Sequence, residues 1–336
     1  MLLDKILLSK VNIIGKTLLE RAGLIDYPRN IEEMFTFLQT LKESIDKNEF
    51  EGALIANILF SFVSNKEIRD RNTTPRIFED IFSALFAQTP SDKKTRSNPK
   101  STPQIMALDS LCKNEDWKIS SDLSGNKREK ADLILGNYSI SLKTLKGPII
   151  GSNNEVLDNS FNNELNIGSF SYRALLKGIL SDEEIIQLSD RKGGLGSGKQ
   201  LRKNIFDPIK NKSKQNDFLN RLKLFLEYVY EEDVYIILKS HYRIDFFLIP
   251  NSSFVKSLIY AYEYSEPSFE KIFYRWENNN LRIRWKDMLT VMDNNKLPYY
   301  EISINLENSF NNKELKNFLN DLSKQIENYI NTHITK

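Results

Sequence analysis

The sequence predicts an α/β protein: a central mixed β-sheet flanked by helices, with a helical N-terminal part and a C-terminal part containing β-structure. Three observations predict it. Residues 2–22, 31–47 and 50–64 repeat apolar side chains at intervals of three and four, the spacing of helices with one buried face. Short apolar runs of strand length stand at 133–135, 234–239, 243–249 and 299–306. Amphipathic helices at 216–229 and 312–332 stand among those strands. The expected organisation is a helical region 1–70, a core 71–260 with a basic loop at 190–214, and a C-terminal region 261–336. No internal repeat is present.

Each element has a local reason. Pro28 separates the first two helices. Residues 74–87 read as a helix with Thr74 as N-cap and Pro75 in the first helical position. Its apolar stripe is Ile77, Phe78, Ile81, Phe82, Leu85 and Phe86; Glu79 lies at the border of the stripe and Asp80 on the opposite side. A Ser/Thr/Pro/Lys loop follows at 89–104, then a short helix at 104–113 and a strand at 117–123. Gly136–Asn137, between two apolar runs, marks a tight hairpin, because both residues tolerate positive φ. Residues 147–168, rich in Gly and Asn, read as an irregular excursion, and 169–180 returns to helix. Arg275–Lys286 reads as a second hairpin, with Leu281, Ile283 and Trp285 on one face of its second arm and Arg282, Arg284 and Lys286 on the other.

Composition narrows the function classes. With 336 residues, 40% hydrophobic and 11% aromatic, the chain has the makings of a sizeable core and is not a disordered polymer. The single cysteine, Cys112, cannot form an internal disulfide, which suits a reducing cytoplasm. Asp4 and Lys5 interrupt the apolar N-terminal run, so no secretory signal is expected. No run approaches the ~20 apolar residues of a membrane span. Net charge is only +2, but it is unevenly placed. Between Asp190 and Lys214 eight Lys/Arg face two Asp, and between Asp92 and Lys100 four face one. Such segments suit polyanion binding at one face, although solvated loops carry charge equally well.

The hairpin around Gly136 is the most informative segment. Lys130-Ala131-Asp132 leads into Leu133–Leu135, apolar on both faces like a buried strand. In the second arm Ile140 and Leu142 point one way, while Ser139, Ser141 and Lys143 point the other. Asp132, Ser141 and Lys143 can then meet at one end of the hairpin, where a divalent cation and a phosphate fit. This arrangement resembles the Asp…(Asp/Glu)-x-Lys signature of the PD-(D/E)xK nuclease superfamily, which includes most type II restriction endonucleases. The resemblance covers roughly residues 75–180 and departs from the family where Ser141 replaces the second acid.

The resemblance implies a restriction-endonuclease-like fold and magnesium-dependent, site-specific cleavage of double-stranded DNA. It implies that Asp132 binds Mg2+ with the backbone carbonyl of Leu142, and that Lys143 contacts the scissile phosphate. Glu79 or Glu164 then supplies the missing acid, with Glu155 as a further candidate. A homodimer on a palindrome and a cognate DNA methyltransferase as genetic partner follow from the same likeness. Lys199, Arg202 and Lys203 in the basic loop, and Arg282, Arg284 and Lys286 on the second hairpin, are the expected DNA contacts. A charge-protected strand edge is the plainer reading of that hairpin.

Two other functions stay open: a structure-specific repair or recombination nuclease of the same superfamily, and a non-catalytic DNA-binding protein on a decayed nuclease scaffold. Competing chemistries have little support. Gly193–Gln200 nearly spells a phosphate-binding loop, but Gln200 stands where a Ser/Thr must hold magnesium, and no strand precedes it. It reads instead as a flexible basic loop leading into a helix near Gln200–Ile205. Two histidines and one cysteine leave no basis for paired-histidine or cysteine-zinc chemistry.

Overall fold

The computed structural model describes residues 2–64, 78, 81–82, 84–86, 133–145, 149–151, 176, 179–188, 196–210, 215–239, 242–264, 269–277 and 280–333. In chain order these form α1 (Leu2–Arg21), α2 (Ile31–Asp46), α3 (Phe50–Ser64), β1 (Leu133–Leu135), β2 (Tyr138–Leu145), β3 (Ile149–Gly151), α4 (Asp182–Leu188) and β4 (Gly196–Ser197). Next come α5 (Gly198–Leu201), a π-helical turn (Arg202–Phe206), α6 (Asp207–Lys210), α7 (Gln215–Val229), β5 (Asp233–Lys239), β6 (Arg243–Ile249) and α8 (Asn251–Tyr264). The remainder are α9 (Phe269–Ile272), β7 (Phe273–Glu277), β8 (Asn280–Arg284), α10 (Trp285–Asn294), β9 (Tyr300–Asn305), a 3-10 turn (Glu307–Asn311) and α11 (Lys313–His333). The protein is α/β, with a five-stranded mixed sheet flanked by helices.

The chain divides into two units interleaved in sequence. One comprises Met1–Thr144, Tyr235–Leu248 and Tyr300–Lys336; the other comprises Leu145–Val234 and Ile249–Tyr299. This division runs across the consecutive segments 1–70, 71–260 and 261–336.

The first unit is built on the sheet β1-β2-β5-β6-β9. β1 and β2 are antiparallel, as are β6 and β9. Only residues 240–242 join β5 to β6, too few for a parallel crossover, so the parallel contact of the mixed sheet is β2 with β5. The hydroxyls of Tyr138 and Tyr235, near the starts of those two strands, share a hydrogen bond. Strand alternation gives the sheet an apolar core face, and on the other face Ile236 and Phe247 are buried as well. Leu135, Ile140, Leu142, Ile237, Phe246 and Ile304 on the core face are all at most 3% exposed and join one core with Leu18, Met34, Phe37 and Leu54 of the helices. Full burial of each such side chain contributes about 1.5–3 kcal/mol.

Side chains cap the start of α2. Asn30 Oδ1 accepts from the Glu33 N–H at 2.9 Å, and Glu33 Oε2 accepts from the Arg29 N–H at 2.8 Å, starting α2. Of the segment 74–87, Phe78, Ile81, Phe82, Leu85 and Phe86 are buried, as the stripe requires, and the rings of Phe78 and Phe82 meet Phe246 edge-on. Thr74, Pro75, Ile77, Glu79 and Asp80 lie outside the described residues, as do the elements expected at 89–104, 104–113 and 117–123 and most of 169–180.

The second unit holds a four-stranded sheet, β3-β8-β7-β4, in which β3 with β8, β8 with β7 and β7 with β4 are each antiparallel. α8 packs against both α7 and α10. The rings of Phe206, Phe218 and Tyr262 pack together with centroids 5.4–5.7 Å apart, and Phe273 joins them.

Two expectations are corrected here. Residues 196–210, read as a flexible basic loop entering a helix near Gln200, are a short strand and a helical segment that already starts at Gly198. The cause is an apolar stripe, Leu201, Ile205 and Ile209, each 0% exposed at helical spacing. The second arm of the 275–286 hairpin also ends earlier than expected. Trp285 and Lys286 begin α10, because Trp285, Met288, Val291 and Met292 form a buried helical stripe that overrides strand alternation.

Candidate functional site

The Gly136–Asn137 hairpin forms as its sequence requires. Leu133 pairs with Ile140 and Leu135 with Tyr138 across the turn. Gly136 takes φ +63°, the sign that glycine supplies at the first central position of a II′-type turn. Residues 141–145 continue beyond the last β1 residue in that pairing, Leu133.

Tyr138, Ile140 and Leu142 enter the core, so Ser139, Ser141 and Lys143 occupy the opposite face of the sheet. Ser141 is 7% exposed and Lys143 is half-buried. The alternation expected of these residues is thus present, and Ser141 and Lys143 share a face. Asp132, Glu79, Glu155 and Glu164 lie outside the described residues. Among the described residues no group of three or more His, Cys, Asp or Glu comes together in a way that could hold a metal ion. The Ser141 hydroxyl and the Leu142 carbonyl are neutral hard-oxygen donors, the ligand type that magnesium accepts beside one or two carboxylates.

A polar network on the same sheet face had no signal beyond alternation. Ile244 and Phe246 enter the core, which turns Arg243 and Asp245 to the face of Ser141 and Lys143. Asp245 Oδ1 accepts from Arg243 Nε at 2.5 Å and from the Ser303 hydroxyl at 2.6 Å; an Arg243 terminal nitrogen donates to Ser303 Oγ at 2.8 Å. This closed network satisfies a carboxylate that is only 20% exposed.

The expected DNA contacts belong to the second unit. Lys199 and Lys203 are exposed. Arg202 is engaged within the fold: one terminal nitrogen reaches both Glu270 carboxylate oxygens at 3.1 and 3.3 Å, and Nε lies 3.5 Å from Asp207. Lys210 is also partly absorbed, 4.9 Å from the Tyr262 ring centroid, and burial pushes its ammonium below the usual lysine range. The same burial pushes the Tyr262 hydroxyl upward.

The near-phosphate-loop sequence has a packing explanation. Gln200 Oε1 accepts from the Ser197 N–H at 2.8 Å and from its hydroxyl at 3.1 Å, so Gln200 caps the start of α5. A Cβ on Gly198 would lie 2.1 Å from the Phe273 carbonyl oxygen, so only glycine lets the helix start approach β7 this closely.

β8 is neither a free ribbon nor a charge-protected edge, since β3 and β7 pair on its two sides. Arg282 and Arg284 are half-buried, and Arg284 is both the last residue of β8 and the N-cap residue of α10. Lys286 is exposed on α10, its ammonium 5.7 Å from the Trp285 ring centroid. Among the described residues no helix is long and apolar enough to cross a membrane. Comparison of the chain with protein-family models, curated proteins and solved structures finds no match.

Proposed function

We propose that the protein is a magnesium-dependent endonuclease that cleaves double-stranded DNA at specific sites, in the manner of type II restriction enzymes. The observation that carries this reading is the buried-strand hairpin, which holds Ser141 and Lys143 on one face beside a strand led by Asp132 in the sequence. Asp132 and the Leu142 carbonyl would hold the metal, with Glu79 or Glu164 as the additional acid. Bound Mg2+ supplies Lewis acidity and a lowered pKa for a coordinated water. Lys143 places its ammonium at the scissile phosphate and stabilises the charge that develops there. Ser141 is the neutral member of the set, standing where the family carries its second acid. A homodimer acting on a two-fold symmetric site, a partner methyltransferase and a cytoplasmic location belong to the same reading.

The test is digestion of a defined plasmid with Mg2+, followed by sequencing of the fragment ends. Discrete fragments with one shared end sequence support the proposal. Cuts only at junctions or branched structures favour the repair-nuclease reading. Binding without any cut favours a decayed scaffold, the reading suggested by a buried serine where the family carries an acid.

A further inference from the structure

Helices α7 and α8 of the second unit pack side by side and present an outward face that the catalytic reading leaves unused. The Asn251 side-chain amide donates to the Glu231 carbonyl at 2.8 Å, and the Asn251 N–H donates to Asp233 Oδ1 at 2.9 Å. The start of α8 is thereby fixed beside the end of α7, and α8 runs back along it. Leu219, Lys223 and Glu227 of α7 and Lys256, Ile259 and Glu263 of α8 recur at the three- and four-residue spacing of one helix face. Between the helices runs an open groove of about 470 Å³, with Leu219, Val255 and Ile259 as its apolar floor.

Apolar surface continues past the groove. Leu224 on α7 is 50% exposed and Tyr264 on α8 is 66% exposed, the latter with its ring 5.7 Å from that of Tyr260. Apolar side chains gathered inside a charged rim mark an interaction surface. The charges of the rim are ordered: Lys223 precedes Glu227 by four residues, and Lys256 precedes Glu263 by seven. Lys223 and Glu227 form only a weak surface pair at 3.9 Å, and the side chains of Lys256 and Glu263 form no ion pair among the described residues. A face that reads basic to acidic along its helix is complementary to a second copy laid antiparallel on it. Across a two-fold axis, Lys256 meets the partner's Glu263, and Glu263 meets the partner's Lys256. That axis crosses α8 between Ile259 and Tyr260. Counted from the Asn251–Glu231 contact at about 1.5 Å per residue, the midpoints of the two lysine–glutamate sets lie within about one helical turn of each other, so one axis serves both helices.

We propose that the outward face of α7 and α8 is a homodimer surface, on which a second copy of the chain docks about a two-fold axis between Ile259 and Tyr260. The apolar side chains fill the space between the copies, and the lysine–glutamate sets fix the antiparallel register. The inference rests on the proposed function for the homodimer and on the helix face for its location.

The test is sedimentation velocity of the full chain over a concentration series, with thermal melting as the check on folding. Wild type is expected to self-associate. Lys256→Glu and Glu263→Lys each set like charges opposite one another at two places, and each should raise the dimer dissociation constant by at least about tenfold. Mixing the two single variants restores opposite charges at both places, so the mixture should associate with an affinity near that of wild type. The double variant Lys256→Glu/Glu263→Lys should do the same with itself. Both positions are exposed, so the substitutions leave the core intact. A wild type that stays monomeric overturns the proposal, and so does a dimer that the single variants leave unchanged. Loss in the single variants with no recovery in the mixture overturns the antiparallel pairing and the proposal with it. A monomer that binds anilinonaphthalene sulfonate, and loses it in Tyr260→Ser, makes the groove a ligand site instead. Plasmid cleavage, scored separately, distinguishes the two proposals. Cleavage by a monomeric wild type sinks only this surface, whereas the charge-swap recovery in a protein that never cuts leaves the surface and removes the nuclease.

Discussion

Gly136 and Gly198 are both constrained, for different reasons and with different expected costs. Gly136 has positive φ, and an added Cβ would meet the Tyr27 hydroxyl at 2.6 Å. That hydroxyl is the far end of a side chain and can move, so the backbone term dominates, and Gly136→Ala should cost about 1–2 kcal/mol. At Gly198 the Cβ meets a backbone carbonyl at 2.1 Å, which cannot yield without moving β7. Gly198→Ala should therefore cost more, at or above about 3 kcal/mol. Urea melts of the two variants check the ranking, and equal midpoints would contradict it.

The Arg21–Glu49 pair, 2.7 Å apart, gives a pH signature. Hydrogen bonding to Arg21 holds the Glu49 carboxyl below its usual 4.5, against the opposing effect of burial. A depressed folded-state pKa means that the unfolded state binds more protons across the window between the two values. The contribution is present above about pH 4.5 and is lost as pH falls through the folded pKa. Arg21→Gln should lower the melting temperature at pH 7 by a degree or two, about the effect of a partly exposed pair, and that difference should shrink toward pH 3. A constant difference would remove Glu49 from the acid response.

At the scale of elements, the Gly136–Asn137 hairpin was legible because its turn residues and apolar runs are adjacent in the sequence. The helices α1–α3 and α7, the strands β5, β6 and β9, and the terminal helix were legible for the same reason. β8 was only partly legible. Its pairing with β3 joins segments far apart in the chain, and nothing local in Ile149–Gly151 announces a partner at Arg282–Arg284. Trp285 fits strand and helix patterns equally over three residues; only Met288 and Val291 decide for the helix. Gly193–Gly198 suggested mobility, whereas Gly198 serves close packing. The Arg243–Asp245–Ser303 network needed the register of β6 with β9, which no short window contains. Trp285, 1% exposed, should behave as a core residue: Trp285→Ala should cost about 3–5 kcal/mol in a denaturant melt. A loss under about 1 kcal/mol, the range of a surface change, would contradict its place in the buried stripe of α10.

At the scale of the whole molecule, the interleaved units make the first one dependent on three separate stretches of chain. A fragment ending at Thr144 lacks β5, β6 and β9, and leaves the apolar faces of α1–α3 without most of their sheet. It should show no cooperative thermal transition, whereas the full chain should melt cooperatively. A sharp transition in the fragment would refute the dependence. The same partition assigns Ser141 and Lys143 to one unit and Lys199 and Arg282 to the other.

The most direct measurement is cleavage of supercoiled plasmid by Lys143→Ala in Mg2+, alongside duplex binding in Ca2+. The account predicts loss of cutting by about 100-fold or more, the scale of removing one charge-stabilising group, with binding within a few-fold of wild type. Cutting at the wild-type rate by the variant would contradict it, and Lys143 would have no part in the chemistry.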